Sequence, residues 1–244
     1  MKRIGWSVNL GPMGYRECFA FQQRVNALVA EEKLPNCLLS VEHPPTYTLG
    51  ANFHAENLPL PASEYEKLGV AIETTDRGGD ITYHGPNQLV QYPIFNLKHF
   101  GQDLHRYLRD LEESVIVGLQ AWGIEGKRFP PHTGVWVGER KICAIGIKVR
   151  KWTSMHGIAL NCNNDLSPFD WIVPCGIKGY SVTSLSKELG TDVGWDEARV
   201  QMNRSFGEVF AMEWQEVPKE QLFLELDRLE TDGIGNFPEA ARSE

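Results

Sequence analysis

The sequence predicts an α+β fold in which mixed β-sheets are flanked by helices. Runs of alternating residues, such as Lys141 to Val149 and Met155 to Cys162, are typical of strands. Segments with apolar residues at helical spacing, such as Tyr15 to Lys33 and Gln102 to Trp122, are typical of amphipathic helices. Because several strands follow one another through short turns, we expect antiparallel hairpins and not a purely parallel sheet.

The other elements follow from the same two patterns. Strands are predicted at Arg3 to Leu10, Asn36 to Val41, Val70 to Thr74, Ile81 to His84 and Gln88 to Leu97, and helices at Asp196 to Met212 and Lys219 to Glu230. Gly11-Pro12 is expected to form a turn, and Ser63-x-x-Glu66 is expected to be the capping box of a short helix. We predict one domain over residues 1–230 and a disordered acidic tail over residues 231–244.

Composition excludes several classes of protein. With 42% hydrophobic residues and no apolar run near the ~18 residues that span a bilayer, we expect a soluble cytoplasmic protein without a membrane partner. The five cysteines contain no C-x-x-C, which argues against a disulfide framework and a cysteine zinc site. The seven histidines form no H-E-x-x-H motif. We therefore expect no metal.

The charge is distributed unevenly along the chain. The formal net charge is -8, and residues 208–244 carry ten acidic and three basic residues. Residues 127–151 carry seven basic residues against one acid, Glu139. Such a stretch would attract an acidic macromolecule, or it is simply a set of solvated loop charges. Nucleic acid is not an expected partner, because the chain as a whole is acidic and shows no recognition motif.

Small residues alternate in the two runs at 141–149 and 155–162. Ala144 and Gly146 share a face of the first run, and Gly157 and Ala159 share a face of the second. If the runs pair as a hairpin with these faces together, they leave a trough that could hold a slender ligand. The alternative is a sheet corner where the glycines only relieve crowding.

One cysteine differs from the others in its sequence context. Cys175 lies between Pro174 and Gly176, so a turn can expose its sulfur to a cleft. A thiol with a pKa of about 8.5 needs a nearby base or cation to act as a nucleophile, and Lys141, at the start of an apolar strand, is a candidate. The alternative is an inert turn cysteine and a surface lysine. The remaining cysteines are expected to be buried small hydrophobic residues: Cys18, Cys37, Cys143 and Cys162.

A glycine turn opens the segment from Arg77 to Pro86. Gly78 and Gly79 allow backbone to approach a ligand closely and can direct amide N–H groups at it. The segment lacks both the phosphate-loop and the dinucleotide-binding spacing. Arg77 and His84 stand at its two ends, and either could line a pocket or be structural. For His43, beside two prolines, a turn position with a local partner is expected.

These motifs together resemble a known family, the octanoyl-[acyl carrier protein]:protein octanoyltransferases of lipoate biosynthesis. The resemblance covers roughly Ser40 to Leu185. It rests on four ordered motifs: Arg77-Gly-Gly-Asp-Ile-Thr-Tyr-His-Gly-Pro86, Lys141-Ile-Cys-Ala-Ile-Gly146, His156-Gly-Ile-Ala-Leu-Asn161 and Pro174-Cys-Gly-Ile177 with Thr183-Ser-Leu185. The chain departs from the family pattern at Asn87, where glycine is usual, and at Cys143, where alanine is usual. Asparagine tolerates a positive φ, so the turn at Asn87 can survive.

The resemblance implies the fold of lipoate and biotin protein ligases and an acyl transfer that needs neither ATP nor a cofactor. Cys175 would be the nucleophile and Lys141 its acid–base partner, with His84 and His156 as fallback bases. The substrate-binding residues implied are Arg77, Gly78, Gly79, Asp80, Ile81, Thr82, Tyr83, His84, Ala144, Ile145, Gly146, Gly157, Ile158 and Ala159. The implied donor is octanoyl-acyl carrier protein. The implied acceptors are lipoyl domains of 2-oxoacid dehydrogenase complexes or the glycine cleavage H protein.

Two other functions remain open at the level of sequence. An ATP-dependent lipoate or biotin ligase would use a related fold without a cysteine nucleophile, and an ATP requirement would identify it. The Pro-Cys-Gly turn and the lack of a Gly-Arg-Gly-Arg run argue against it. A catalytically inactive module that binds acidic carrier proteins would fit the basic stretch alone. A serine hydrolase is not expected, because no Gly-x-Ser-x-Gly occurs.

Overall fold

The computed structural model describes residues 2–173 and 181–231. The strands are β1 (Arg3–Pro12), β2 (Cys37–Glu42), β3 (Thr46–Leu49), β4 (Ala71–Thr74), β5 (Ile81–His84), β6 (Gln88–Ile94), β7 (Lys127–Phe129), β8 (His132–Val137), β9 (Arg140–Arg150), β10 (Thr153–Asn161), β11 (Ser181–Val182) and β12 (Met212–Glu216). The α-helices are α1 (Tyr15–Ala30), α2 (Ala62–Lys67), α3 (Leu104–Gln120), α4 (Leu185–Leu189), α5 (Trp195–Val209) and α6 (Lys219–Thr231). Short 3₁₀ turns lie at Ala55–Asn57, Leu97–Phe100 and Ser167–Trp171.

The strands form two sheets, and the larger one is mixed. Its order is β12-β1-β2-β6-β10-β9-β8-β7, with β11 paired to β9. The β1 strand runs parallel to both β2 and β12, whereas β6, β10, β9 and β8 pair antiparallel in turn. The smaller sheet has the order β4-β3-β5. The α+β fold with mixed sheets, predicted from the sequence, is confirmed.

Helices cover both faces of the large sheet because its strands alternate between two hydrophobic clusters. On β10, Ile158 and Leu160 belong to a cluster that includes residues of α3 and α5. Met155 and Ala159 belong to a second cluster, with residues of α1 and α6. Neighbouring residues of a strand point to opposite faces, so β10 is buried on both sides. It is therefore a rigid base for whatever lies against it.

Several local predictions differ from the structure, among them the end of the first strand, one helix cap and the ends of three elements. The strand predicted to Leu97 ends at Ile94, and the helix predicted to Lys33 ends at Ala30. Gly11 does not end the first strand, because a bulge with φ +66° at Gly11 lets the strand continue to Pro12 beside β2. Ser63 is not a helix cap. The helix begins at Ala62 after Pro61, whose fixed φ suits a position just outside the first turn. The predicted helix ending at Met212 stops at Val209, and Met212 instead opens β12.

The turn between β5 and β6 forms as expected from its residues. Pro86 and Asn87 are its central residues, and the Gln88 amide donates to the Gly85 carbonyl oxygen over 3.1 Å. Asn87 has a φ of +62°, the left-handed conformation that the third residue of a type II turn adopts. Within residues 2–173 and 181–231, no helix is both long and apolar enough to cross a bilayer.

Candidate functional site

The β9–β10 hairpin brings together the small residues that the sequence pattern singled out. Gly146 pairs with Gly157, and Ala144 pairs with Ala159. These four residues, with Ile145 and Ile158, line a groove of about 450 Å³. The hairpin pairing predicted from the alternation is therefore confirmed, and a groove accompanies it.

The Arg77-Gly78-Gly79 turn forms a wall of this groove by packing directly on β9. The Gly78 amide donates to the Ile147 carbonyl oxygen over 2.8 Å. A Cβ atom on Gly146 would lie 2.9 Å from the Gly78 carbonyl oxygen. Gly146 is therefore required for the close approach of this turn, and its missing side chain is filled by backbone rather than by open groove. Gly78, Gly79, Ile145 and Gly146 also line a second cleft, so we call these four residues the dividing wall.

Alternation along β5 separates the residues predicted between Arg77 and His84. Thr82 and His84 line the groove together with Arg77, Gly78 and Gly79. Ile81 and Tyr83 point to the opposite face and pack in the hydrophobic cluster of the small sheet. Ile81 and Tyr83 therefore lie away from the groove, on the other face of the predicted strand, and their role in binding substrate stays a prediction.

His84 is held in one neutral tautomer by a directional chain of hydrogen bonds. Gln88 donates its amide N–H groups to Tyr83 and Asn161, so its oxygen accepts from Nδ1–H of His84 over 2.9 Å. Nε2 of His84 then accepts from the Thr48 hydroxyl over 3.3 Å, and Thr48 Oγ1 accepts from Arg77. Burial holds the pKa of His84 well below its ordinary value. His84 therefore orients the Thr48 hydroxyl that Arg77 binds, and its lowered pKa makes it poorly suited to act as a base.

The groove has further lining residues that the sequence interpretation did not name as substrate-binding. They are Tyr15, Val90, Tyr92 and His156. Val90 and Tyr92 share one face of β6, so the alternation of that strand would have indicated them once the groove was known. Tyr15, at the first turn of α1, stacks on His84 with ring centroids 5.8 Å apart. No sequence signal pointed to Tyr15.

His156 is bound to a carboxylate at the edge of the groove. Its Nε2 donates to Oδ1 of Asp76 over 2.8 Å, and its ring stacks on Phe19. Burial nevertheless lowers the pKa of His156, while the bond from His156 lowers the pKa of Asp76.

His43 lies behind Tyr92. The Tyr92 hydroxyl donates to Nε2 of His43, and Nδ1–H of His43 donates to the Met13 carbonyl oxygen over 2.8 Å. His43 is thus buried in a long-range network, and the expected local partner was wrong.

A second cleft lies on the other side of the dividing wall. It shares Gly78, Gly79, Ile145 and Gly146 with the groove, and it is also lined by Lys141 and Asp80. Asp80 therefore faces this cleft and not the groove. The remaining lining residues are Asn52, His54, Leu108, Pro131, His132, Thr133 and Ile147. His54 lies in the loop after β3 and His132 opens β8, and neither belongs to one of the four motifs, so no sequence pattern pointed to them.

Lys141 is buried despite its charge. Only 8% of the residue is exposed, and its Nζ lies 4.9 Å from the ring centroid of Trp136. A cation over an indole face is stabilised by the ring quadrupole. The expectation that the Lys141 ammonium is partly removed from water agrees with this burial. Its predicted partner, Cys175, lies outside the described residues.

The other four cysteines are reduced and buried, as predicted. Burial raises the pKa of Cys37 and Cys162 to about 12, and it also raises the pKa of Cys18 and Cys143. A thiol that stays protonated at neutral pH is a poor nucleophile. None of these four cysteines is therefore suited to replace Cys175.

The basic stretch at 127–151 is less positive than its sequence suggests. Arg128 binds Glu112 and Glu113, and Arg140 binds Glu188 over 2.9 Å. These carboxylates lie on α3 and α4, outside residues 127–151. A count of the charges along that stretch therefore does not include them. A uniformly positive surface is therefore not present. The turn end of the β9–β10 hairpin carries three further basic residues of this stretch: Lys148, Arg150 and Lys151.

Comparison with known proteins agrees with this fold. Residues 14–207 match the model of the lipoyl protein ligase A/B catalytic domain. A curated octanoyltransferase of Christiangramia forsetii is 42% identical over 222 residues, covering 84% of this chain and 95% of that protein. One of Rubrobacter xylanophilus is 50% identical over 181 residues, covering 73% and 81%.

Solved structures support the same fold at lower identity. A lipoate-protein ligase A bound with ATP superposes with a TM-score of 0.76 at 20% identity, over 94% of each chain. A putative lipoate protein ligase of T. acidophilum with bound lipoic acid gives a TM-score of 0.72 at 19% identity, over 95% of this chain and 96% of that one. On the family match and the identity to curated relatives, this chain belongs to the lipoyl protein ligase A/B catalytic domain family.

Proposed function

We propose that this protein is an octanoyltransferase of lipoate biosynthesis, which moves an octanoyl group from octanoyl-acyl carrier protein to a lysine of a lipoyl domain. The observation that carries the proposal is the dividing wall, with a narrow apolar groove on one side and a cleft holding buried Lys141 on the other. Relatives at 42–50% identity are named octanoyltransferases, which supports the same activity here.

The groove suits an acyl chain of this kind. An octanoyl chain has seven carbons beyond its carbonyl, and each buried methylene contributes about 0.8 kcal/mol. Ala144, Gly146, Gly157 and Ala159 keep the groove open along the hairpin, while Arg77, Gly78 and Gly79 close one side. Burying the chain therefore contributes several kcal/mol without any polar contact. The reacting carbonyl would stand at the dividing wall, on the side of Lys141.

The reaction proceeds through an acyl-thioester on Cys175. The thiolate attacks the donor thioester, and the carrier thiol leaves with a proton from the Lys141 ammonium. A lysine amine of the acceptor then attacks the acyl-enzyme, and neutral Lys141 accepts a proton as the amide forms. Thioester exchange is nearly isoenergetic, and amide formation drives the sequence forward without ATP. Because the Gly78 N–H already donates to Ile147, the Gly79 N–H or backbone N–H groups beside Cys175 would stabilise the developing oxyanion.

The acceptors proposed are lipoyl domains of 2-oxoacid dehydrogenase complexes and the glycine cleavage H protein. Both present a lysine on a protein surface, and the cleft opens beside Lys141 to receive such a side chain. We propose a cytoplasmic location, which is supported by the four described cysteines being free thiols.

An ATP-free transfer assay with intact-mass analysis tests the proposal. Wild-type protein should gain one octanoyl mass on Cys175 from octanoyl-carrier and pass it to a lipoyl domain. Cys175→Ser should form no thioester and should lose turnover. An unmodified Cys175 with turnover intact would reject the covalent route. A strict ATP requirement would favour the ligase alternative, and carrier binding without transfer by wild type would favour a binding module.

A further inference from the structure

The loop after β3 places His54 at the second cleft. Two backbone hydrogen bonds hold this loop along the glycine turn: Ala51 donates to Arg77 over 2.8 Å and Asn52 donates to Gly79 over 3.0 Å. His54 follows directly and lines the same cleft as Lys141. Its position is therefore fixed relative to the dividing wall, although it lies in a loop.

Asp80 orients the imidazole of His54. Nδ1 of His54 donates to Oδ2 of Asp80 over 2.9 Å, and the same oxygen accepts from Asn57 over 2.7 Å. Asp80 is buried, whereas the His54 side chain is 63% exposed. Because Asp80 occupies Nδ1–H, Nε2 is the ring atom that can take up and release a proton. The bond to Asp80 also raises the pKa of His54 above its ordinary value.

Amide formation requires the loss of two protons from the acceptor. A surface lysine has a pKa near 10.4, so it arrives as an ammonium and cannot attack until it is deprotonated. The nitrogen then loses a second proton when the amide forms. Lys141 has given one proton to the departing carrier thiol and can therefore accept only one. A second acceptor is needed for the first proton.

We propose that His54, held by Asp80, is the base that takes this first proton, an inference that rests on the proposed function. Nε2 of His54 accepts a proton from the acceptor ammonium and later releases it to water. The neutral amine attacks the thioester carbonyl on Cys175, the C–N bond forms and the C–S bond breaks. Cys175 leaves as the thiolate, and the second amine proton passes to Lys141, which restores the starting ion pair.

The charges around His54 set the pH range of this step. Asp80, beside the glycine turn, and Glu56, in the loop of His54, favour the imidazolium, whereas the positive charge of Lys141, which lines the same cleft, favours the neutral ring. His132 also lines the cleft. Since the base must be neutral to act, the rate of amide formation should rise with pH as His54 loses its proton.

The test separates the two half-reactions of the full-length protein. Wild type, His54→Ala, His54→Asn and His132→Ala are loaded with octanoyl groups, and amide formation on a lipoyl domain is timed in single turnovers from pH 6 to 10. His54→Asn retains an N–H donor near the position of Nδ1 but has no titratable atom. His132→Ala is the matched control, because it removes the other histidine of the cleft.

Both His54 variants should form the amide on the order of a hundredfold more slowly at pH 7, while acylation by octanoyl-carrier keeps its wild-type rate. The deficit should shrink as the pH approaches the pKa of the acceptor lysine, and added imidazole should restore part of the rate. A wild-type rate in His54→Asn would assign a structural role and overturn the proposal. So would a deficit that does not change with pH, or a pH-dependent deficit in His132→Ala alone.

Failure of the proposed function gives a different result. If the wild type takes no octanoyl group from the carrier, the acyl transfer itself is wrong and this inference falls with it. If the wild type completes both half-reactions and the His54 variants match it at every pH, only the role of His54 is wrong.

Discussion

The groove and the cleft share the dividing wall, but the pKa of histidine is shifted in opposite directions beside them. Around the groove, burial lowers the pKa of His43 to about 4 and also lowers the pKa of His84 and His156. In the cleft, a bond to Asp80 raises the pKa of His54. Histidine is thus kept neutral beside the proposed acyl chain and kept basic in the cleft where the proposed proton transfers take place.

This difference shows how a thin partition can separate binding from chemistry. The dividing wall consists of backbone at Gly78, Gly79 and Gly146 together with the Ile145 side chain. Since Gly146 leaves no room for a Cβ atom, the two sides approach each other as closely as backbone allows. An acyl chain could therefore lie in an apolar environment while its carbonyl remains within reach of charged groups.

The largest loss of activity should come from replacing Lys141, the buried lysine of the cleft. Lys141→Ala should lower turnover about 10²- to 10⁴-fold, because it removes the proposed acid–base group. Lys141→Arg keeps the positive charge but cannot give up a proton, so it should support some thiolate formation and little amide formation. Separate single-turnover measurements of acylation and amide formation check this. Equal activity of Lys141→Arg and wild type in both steps would contradict it.

The buried neutral histidine behind the groove, His43, predicts that acid lowers the free energy of unfolding. Unfolded His43 takes up a proton near pH 6.5, but folded His43 does so only near pH 4. Between these values the unfolded state binds more protons, so the free energy of unfolding falls as the pH is lowered. The contribution is complete above pH 6.5 and is lost by pH 4, on the order of 3 kcal/mol in total. Urea unfolding from pH 7 to 4 measures it.

A His43→Asn variant provides the control for this pH dependence. The amide can still donate to Met13 but does not titrate, so the pH dependence between 6.5 and 4 should be shallower than in wild type. If the free energy of unfolding changed equally with pH in wild type and His43→Asn, the prediction for His43 would be wrong.

Gly157 tests how tightly the groove side of the hairpin is packed. A Cβ atom there would lie 2.5 Å from Cδ of Pro93 and closer still to the Gln91 carbonyl oxygen. Gly157→Ala should therefore lower the free energy of unfolding by about 1–3 kcal/mol. Gly14→Ala is the control, because nothing lies within 4 Å of its Cβ position. Gly14→Ala should lower the free energy of unfolding by about half a kcal/mol, because alanine is less favourable than glycine at a helix N-cap. Chemical denaturation of both variants measures the two losses.

Ala159 tests whether the groove sets the length of the acyl chain. Ala159→Leu adds three carbons to a residue that lines the groove, so chains shorter by about two methylenes should be preferred. At about 0.8 kcal/mol per methylene, the preference for octanoyl over hexanoyl donors should fall roughly tenfold. Competition assays with the two donors measure this ratio. An unchanged ratio would remove the groove from chain selection.

Gly146, the other position suggested by the alternation, is less suitable for that test. A side chain at Gly146 would displace the Arg77–Gly79 turn before it narrowed the groove. Loss of activity in Gly146→Leu would therefore report a broken wall and not a shorter chain.

The strongest periodic patterns in the sequence predicted the parts of the fold that depend on local preference. The α1 and α3 helices and the β9 and β10 strands lie within a few residues of their predicted bounds, because each carries a long apolar pattern. The short strands β7, β8 and β12 were not predicted. Each has three to six residues, and such strands are stabilised by the neighbours they pair with rather than by their own pattern.

The sequence by itself determined which small residues of the hairpin meet, because alternation fixes the face of every residue once two strands pair. It also determined that four cysteines are buried and that Asn87 can hold a left-handed turn. Only the tertiary structure decided that Ile81 and Tyr83 turn away from the groove, that Asp80 serves His54, and that carboxylates from α3 and α4 neutralise Arg128 and Arg140. These outcomes depend on contacts between segments far apart in the chain, and no local pattern encodes the burial and charge that such contacts create.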